Sequence, residues 1–128
     1  MASTQTKVAV ITGSAQGIGR AIALRLAADG FSIALNDLES HRSKLEAVAE
    51  EIKKTTGRDT VISIGDVSKE TDVQALVDAA VNSLGGVDVM VANAGICPAI
   101  PFIDSKLIVR LLAVLVLIAL KCSDCGRI

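Results

Sequence analysis

The chain has 128 residues, room for one domain and not for two of ordinary size. Hydrophobic residues make up 51%, which excludes wholesale disorder, and aromatic residues only 2%: two Phe, no Trp and no Tyr. With 13 basic and 14 acidic residues the net charge is -1, too balanced to gather nucleic acid or an anionic membrane.

The opening "MASTQTK" has no basic segment followed by an apolar run, so no secretory signal is expected. Three cysteines, Cys97, Cys122 and Cys125, do not make a disulfide framework, and a reducing, cytoplasmic setting is the expectation. From Lys7 the pattern alternates. "KVAVIT" (7–12) predicts a buried strand and "GIGRAIALRLAADG" (17–30) a helix with Ile18, Ile22 and Leu26 on one face, ended by Gly30. "FSIALN" (31–36) predicts a second strand. "ESHRSKLEAVAEEIKKTTG" (39–57) predicts a polar helix with Leu45, Val48 and Ile52 on one stripe, closed by Gly57.

"TVISIG" (60–65) predicts a third strand. Ser68 is placed to cap the next helix, with Glu70 and Asp72 in its first turn, where acids suit the helix dipole. Val73, Leu76, Val77, Ala80, Val81 and Leu84 keep the helical period until Gly85-Gly86 stops it, and "VDVMVANAG" (87–95) predicts a fourth strand with its exit turn. Strands this apolar, alternating with helices, imply an α/β fold: a parallel sheet of about four strands, covered on both faces and doubly wound in the Rossmann manner.

Thr12-Gly13-Ser14-Ala15-Gln16-Gly17-Ile18-Gly19 stands where a strand gives way to a helix. The first helical N–H groups have no partners and the helix dipole favours an anion, so a pyrophosphate suits this place. Glycine lets the backbone approach it, and Gly19 can let the helix lie close to the sheet. A tight turn with a packing glycine would read the same way; the strand before it and the helix after it favour the phosphate reading. Asp37 falls at the end of the second strand, where a carboxylate would accept hydrogen bonds from adenosine ribose hydroxyls. The same carboxylate would repel the 2′-phosphate of NADP, and Ser14, Ala15 and Gln16 carry no positive charge, so NAD is favoured over NADP. His41 and Arg42 are expected on a solvated helix face.

The spacing Gly13-x-x-x-Gly17-x-Gly19 resembles that of the short-chain dehydrogenase/reductase family. "GDVS", with Asp66 and Val67 after the third strand, is similar to the family segment that contacts the adenine. "ANAG", Ala92 to Gly95, is similar to the family's Asn-Asn-Ala-Gly, with Ala92 in place of the first Asn. The resemblance implies a cofactor set of Gly13, Ser14, Gln16, Gly17, Ile18, Gly19, Asp37, Asp66, Val67, Asn93, Ala94 and Gly95, with Asn93 stabilising the central sheet. "NDL" (36–38) and "NAGI" (93–96) look most like members acting on small diketones and acetoin.

By that resemblance the activity is hydride transfer between NAD(P) and a carbonyl or alcohol. The family's proton donor is a Tyr, its pKa lowered by a Lys four residues later, with a Ser that orients the substrate. These 128 residues contain no Tyr, and Ser105-Lys106 and Ser123 do not match the spacing, so no catalytic residue is assigned. The resemblance covers roughly residues 6 to 103. The expectation is an incomplete dinucleotide-binding domain, 1–103, followed by a non-family apolar tail, 104–128, without the family's dimer-interface elements.

In that tail "LIVRLLAVLVLIAL" (107–120) is apolar except at Arg110, and shorter than the roughly 20 residues needed to span a bilayer. A helix packed on the sheet is expected, an added strand being the alternative. Cys122-x-x-Cys125 is half a zinc site at most, and no metal site is expected. Three functions remain: a family oxidoreductase's cofactor half, inactive alone; a non-catalytic dinucleotide-binding or regulatory module; and a non-functional fragment.

Overall fold

The computed structural model describes residues 6–96 and 117–120. Strands β1 (Val8–Thr12), β2 (Ser32–Asp37), β3 (Thr60–Ile64) and β4 (Val89–Ala92) alternate with helices α1 (Gly17–Ala28), α2 (Arg42–Thr56) and α3 (Glu70–Leu84), and a further strand, β5, spans Leu117–Leu120. The sheet order is β3-β2-β1-β4-β5. β1 pairs in parallel with both β2 and β4, and β2 with β3. The chain therefore winds outward from β1 to β3, then crosses back over β1 to lay down β4. The order reverses between β1 and β4, the place where doubly wound sheets leave a crevice beyond their strand ends.

Side-chain alternation along the strands divides the core between two faces. Ala9, Ile11, Ile33, Leu35, Val89 and Val91 meet the α1/α2 layer, while Val10 and Ala34 meet Leu76 and Ala80 of α3. Every residue of β1 is buried, as a central parallel strand requires. Leu45, Val48 and Ile52 form the buried stripe of α2, and Gly57 closes that helix in the left-handed conformation at φ 68.

The buried face of α1 differs from the predicted one. Gly19, Ala23 and Ala27 are buried, Ile22 and Leu26 lie on the flank, and Ile18 is 65% exposed. Close helix–sheet contact admits only small side chains at the line of approach, so the larger residues are displaced to its sides. Ser68 does not cap α3. Lys69 takes that position without a side-chain cap, and the Ser68 N–H instead donates to Asp66 Oδ1 at 2.9 Å.

β5 runs antiparallel to β4, with Ala92 opposite Leu117 and Val89 opposite Leu120. The expected helix over 107–120 is thus replaced at 117–120 by a strand. A sheet edge presents a row of unpaired N–H and C=O groups, and a strand satisfies them directly where a packed helix cannot. Residues 97–116 and the cysteines Cys97, Cys122 and Cys125 lie outside the described residues.

Candidate functional site

The four parallel strands deliver their exit loops to one edge of the sheet. Thr12 and Asn93 join the two loops that flank the crevice. Asn93 Nδ2 donates to the carbonyl oxygens of Thr12 and Gly13, both at 3.1 Å. Thr12 Oγ1 accepts from the N–H groups of Asn93 and Ala94, both at 3.0 Å. The glycine turn and the Asn93–Gly95 segment therefore move as one piece. α1 is packed against this joint at Gly19: a Cβ there would land on the Gly13 carbonyl and come within 2.5 Å of Asn93 Nδ2.

Gly17 has the opposite surroundings. Its φ is +59, which disfavours any side chain, yet no protein atom lies within 4 Å of where a Cβ would project. The first capped bond of α1 is Arg20 N–H to the Gln16 carbonyl, so among the described residues no acceptor meets the N–H groups of Gly17, Ile18 or Gly19. Gln16 makes no side-chain cap and the first turn of α1 carries no acid. Free donors, the positive end of the helix dipole and open space at Gly17 converge on one spot. An anion fits there.

Ser14 is fully buried and faces β2. Its hydroxyl donates to the Asn36 carbonyl at 3.2 Å and accepts the Asn36 N–H at 3.1 Å. Asn36 in turn donates through Nδ2 to the carbonyls of Ser63 at 2.9 Å and Gly65 at 3.3 Å. Asp37 is 9% exposed and spans the same junction. Its Oδ2 accepts the Ala15 N–H at 3.0 Å, and its Oδ1 accepts the Leu38 N–H at 2.9 Å and meets His41 Nδ1 at 2.8 Å. Burial alone would push its carboxyl up, but the hydrogen bonds from His41, Ala15 and Leu38 outweigh it and hold the group below its ordinary value.

His41 therefore does not sit on a solvated face. The chain enters α2 through a single 3-10 turn, Glu39–His41, which swings the imidazole onto Asp37. Arg42 is exposed as expected and pairs with Glu39 at 2.7 Å.

The loop after β3 is shaped by Asp72. Its carboxylate accepts the Asp66 N–H at 2.8 Å, and a Cβ on Gly65 would come within 2.9 Å of the Asp72 Cβ. Read from sequence, Asp72 is only an acid suited to a helix start; its reach back over the loop depends on the glycine two positions before Val67. The Asp66 carboxyl is lowered by the Ser68 N–H and hydroxyl. At this end of the sheet large apolar side chains are left open to solvent: Leu38 is 40% and Val67 39% exposed, with Ile18 at 65% in the first turn of α1 and Ile96 at 82% after β4. Of these, Leu38 and Ile96 are absent from the predicted set, although each directly follows a predicted member.

Two further residues escape sequence reasoning. Thr12 carries the joint to Asn93 through a hydroxyl, and Lys44, on α2, extends Nζ to within 2.7 Å of Gln16 Oε1. The predicted residues Gly13, Gln16, Gly17, Ile18, Asp37, Val67 and Ala94 thus gather at one edge, while Ser14 and Gly19 lie beneath its surface. A hollow of about 480 Å³ opens at the other end of the strands, bordered by Thr6, Ser32, Asp59, Ser83 and Asp88, and none of the predicted residues lines it. Among the described residues no helix is long and apolar enough to cross a membrane.

A doubly wound parallel sheet with an open glycine turn at its switch point defines a Rossmann-type domain. The chain belongs to the short chain dehydrogenase family, whose model matches residues 7–122. It is 54% identical over 101 residues to short-chain dehydrogenase/reductase eriH of Hericium erinaceus, covering 77% of this chain and 40% of that protein. It is 44% identical over 101 residues to L-2,3-butanediol dehydrogenase of Corynebacterium glutamicum, with 77% and 38% covered. Among solved structures, L-sorbose reductase from Gluconobacter frateurii, complexed with NADPH and L-sorbose, superposes with a TM-score of 0.70 at 35% identity, covering 79% of this chain and 38% of that one. The chain spans about two fifths of the length of these relatives.

Proposed function

We propose that these residues form the NAD(P)-binding part of an oxidoreductase that moves hydride between the dinucleotide and a carbonyl or alcohol substrate. One observation carries the reading: the open cradle at Gly17, ringed by the unpartnered N–H groups of Gly17, Ile18 and Gly19. These donors would hold the pyrophosphate. Leu38 and Val67 would enclose the adenine between apolar surfaces, and Ile18, Ile96 and the Asn93–Gly95 backbone would border the nicotinamide end. The bound nicotinamide would supply the hydride; the chain's own part is to bind and orient it.

The dinucleotide is proposed to be NAD rather than NADP. Asp37 Oδ2 has one protein donor and keeps a lone pair for a ribose hydroxyl, and its carboxylate is held ionised next to where a 2′-phosphate would stand. The proposed substrate is a small diketone or hydroxyketone; "NDL" and "NAGI" and the likeness to a butanediol dehydrogenase support it. With no Tyr among the 128 residues, this polypeptide alone is proposed to bind without turnover. The change of texture from Pro98 supports a boundary near Ile103 between a dinucleotide-binding part, 1–103, and a tail, 104–128, whereas the family match through residue 122 and the pairing of Leu117–Leu120 with β4 weigh against it.

Calorimetric titration of the 128-residue chain with NAD and NADP, alongside NADH oxidation against diacetyl, tests this. Saturable binding of NAD without turnover is expected. No binding of either dinucleotide overturns the reading, and turnover in a sample free of other dehydrogenases would require a proton donor other than tyrosine.

A further inference from the structure

We propose that Lys44 limits how strongly this chain discriminates against NADP, by holding a cation beside the adenosine 2′ position where it offsets Asp37. The inference rests on the dinucleotide reading above. One contact places Lys44 there, and the course of the chain from Asp37 into α2 agrees with it. Its Nζ lies 2.7 Å from Gln16 Oε1, and Gln16 directly follows Ala15, whose N–H holds Asp37 Oδ2 at 3.0 Å. From the other side, His41 meets Asp37 Oδ1 at 2.8 Å, and positions 41 and 44 are neighbours on one face of the chain as it enters α2. Through Gln16, Lys44 is thus tied to the residue next to the Ala15 N–H that Asp37 accepts.

Its charge is not already spent. Arg20 is paired with Glu51, Arg42 with Glu39, Lys53 with Asp59 and Lys54 with Glu50. Among the described residues no carboxylate lies within salt-bridge distance of Lys44, whose one recorded partner is a neutral amide oxygen. A cation in the first turn of a helix also works against the helix dipole, and the first turn of α2 contains no acid to compensate it. An exposed lysine held in a fixed place, at an electrostatic cost and without a counter-ion, is matched by an incoming phosphate. The 2′-phosphate of NADP is the group that the neighbouring Asp37 would repel, so the two residues act on the same charge with opposite sign.

The test compares the wild-type chain with Lys44→Ala and Lys44→Arg in titrations with NAD and with NADP, which differ only in the 2′-phosphate. Lys44 is exposed, so the alanine variant keeps the packing of α2. The expected result is a loss of roughly five- to tenfold in NADP affinity for Lys44→Ala, with NAD affinity within about twofold and Lys44→Arg close to wild type. The difference shrinks in 0.5 M salt if it is charge-borne (roughly a 4 Å screening length). NAD and NADP affinities that fall together, or neither moving, overturn the role of Lys44 and leave the dinucleotide reading standing. NADP that fails to bind the wild-type chain while NAD saturates also overturns it. A wild-type chain that binds neither overturns both.

Discussion

Asp88 and Asn93 stand at opposite ends of β4, and each ties that strand to β1. Asp88 exchanges bonds with Val8, its Oδ2 accepting the Val8 N–H at 2.8 Å and its own N–H meeting the Val8 carbonyl at 2.9 Å. At that end the neighbouring backbone is likewise used up: Ser32 N–H donates to Lys7 and Ile33 N–H to Asp59. Asn93 ties the other end as firmly, but around it the donors of Gly17, Ile18 and Gly19 are unpaired, and Ile18, Leu38, Val67 and Ile96 are exposed. Free N–H groups at a helix start beside exposed large apolar side chains are where a ligand has most to gain over water. The contrast between two ends of one strand, rather than the glycine motif by itself, is what marks a site.

The contrast breaks most severely at Gly19. Gly19→Ala drives a methyl group into the Gly13 carbonyl and against Asn93, forcing α1 off the sheet at a cost of about 1–3 kcal/mol by overpacking. Dinucleotide binding should be lost with it. Gly17→Ala meets no atom and carries only the strain of a left-handed alanine, about 1 kcal/mol, yet its methyl group fills the cradle, so binding should be lost at nearly unchanged stability. Urea denaturation and calorimetric titration of both variants separate the two glycines. Equal stability losses would show that the packing and cradle roles are not distinct.

Next in size is the comparison across β4. Asn93→Ala and Asp88→Ala each leave partly buried backbone partners unmet, at roughly 1–3 kcal/mol apiece. Only Asn93→Ala frees the glycine turn from the fourth loop, so only it should also weaken dinucleotide binding, by tenfold or more on the order of one lost anchoring hydrogen bond. Binding weakened equally by both substitutions would mean that the strand, and not its carboxyl end, is what the ligand needs.

How much of this was legible beforehand depends on the range of the interaction. Periodicity located the four parallel strands and three helices, because burial on both faces of β1 and on one stripe of α2 writes directly into residue type. The glycine turn was legible from Gly13, Gly17 and Gly19, since only glycine permits such a close backbone path. The distinct tasks of Gly17 and Gly19 were not, because they depend on whether Asn93, far away in sequence, stands behind the helix. The same holds for Lys44 against Gln16, for Asp72 against Asp66 and for His41 against Asp37. Each is a polar contact made by a turn or helix start whose direction no local pattern encodes. The small-residue face of α1 was obscured by Ile18, an apolar residue at helical spacing that is exposed and outside the core. At 117–120 the apolar run favoured a packed helix over a strand, and the open edge of β4 decided for the strand.

A smaller effect is expected at the exposed apolar residues. Leu38→Ser and Val67→Ser should change stability by no more than about 0.5 kcal/mol, since both side chains already face solvent. If they enclose an adenine, each should weaken NAD binding about three- to tenfold through lost apolar contact. Val81→Ser is the matched control, because Val81 is 47% exposed in the last turn of α3, at the opposite end of the strands from Leu38 and Val67. It should leave both quantities unchanged; a loss of affinity there equal to that at Leu38 would dissolve the link between exposure at this edge and binding.

The smallest effect concerns acid. The Asp37 carboxyl lies below its ordinary value of 3.8 because burial, which would raise it, is overcome by bonds from His41, Ala15 and Leu38 to the ionised form. A carboxyl lowered in the folded chain binds its proton more readily once unfolded. Its contribution to stability is therefore complete above the unfolded value, near pH 4, and is lost as the pH falls through the lower native value. Glu39 and Glu50 are lowered as well, by exposed Arg42 and Lys54 whose charges salt screens, whereas Asp66 is lowered chiefly by the neutral Ser68 N–H and hydroxyl, which salt leaves in place. In 0.5 M salt the remaining acid slope of the unfolding free energy should consequently belong to Asp37 and Asp66, and the Asp37 share should be lost in Asp37→Asn. That substitution also turns an amide against N–H donors of both the glycine turn and Leu38, so NAD binding at neutral pH should fall with it. An acid slope unchanged in Asp37→Asn would mean that the junction between the glycine turn and β2 is held by Ser14 and Asn36 alone, whose mutual bonds do not titrate.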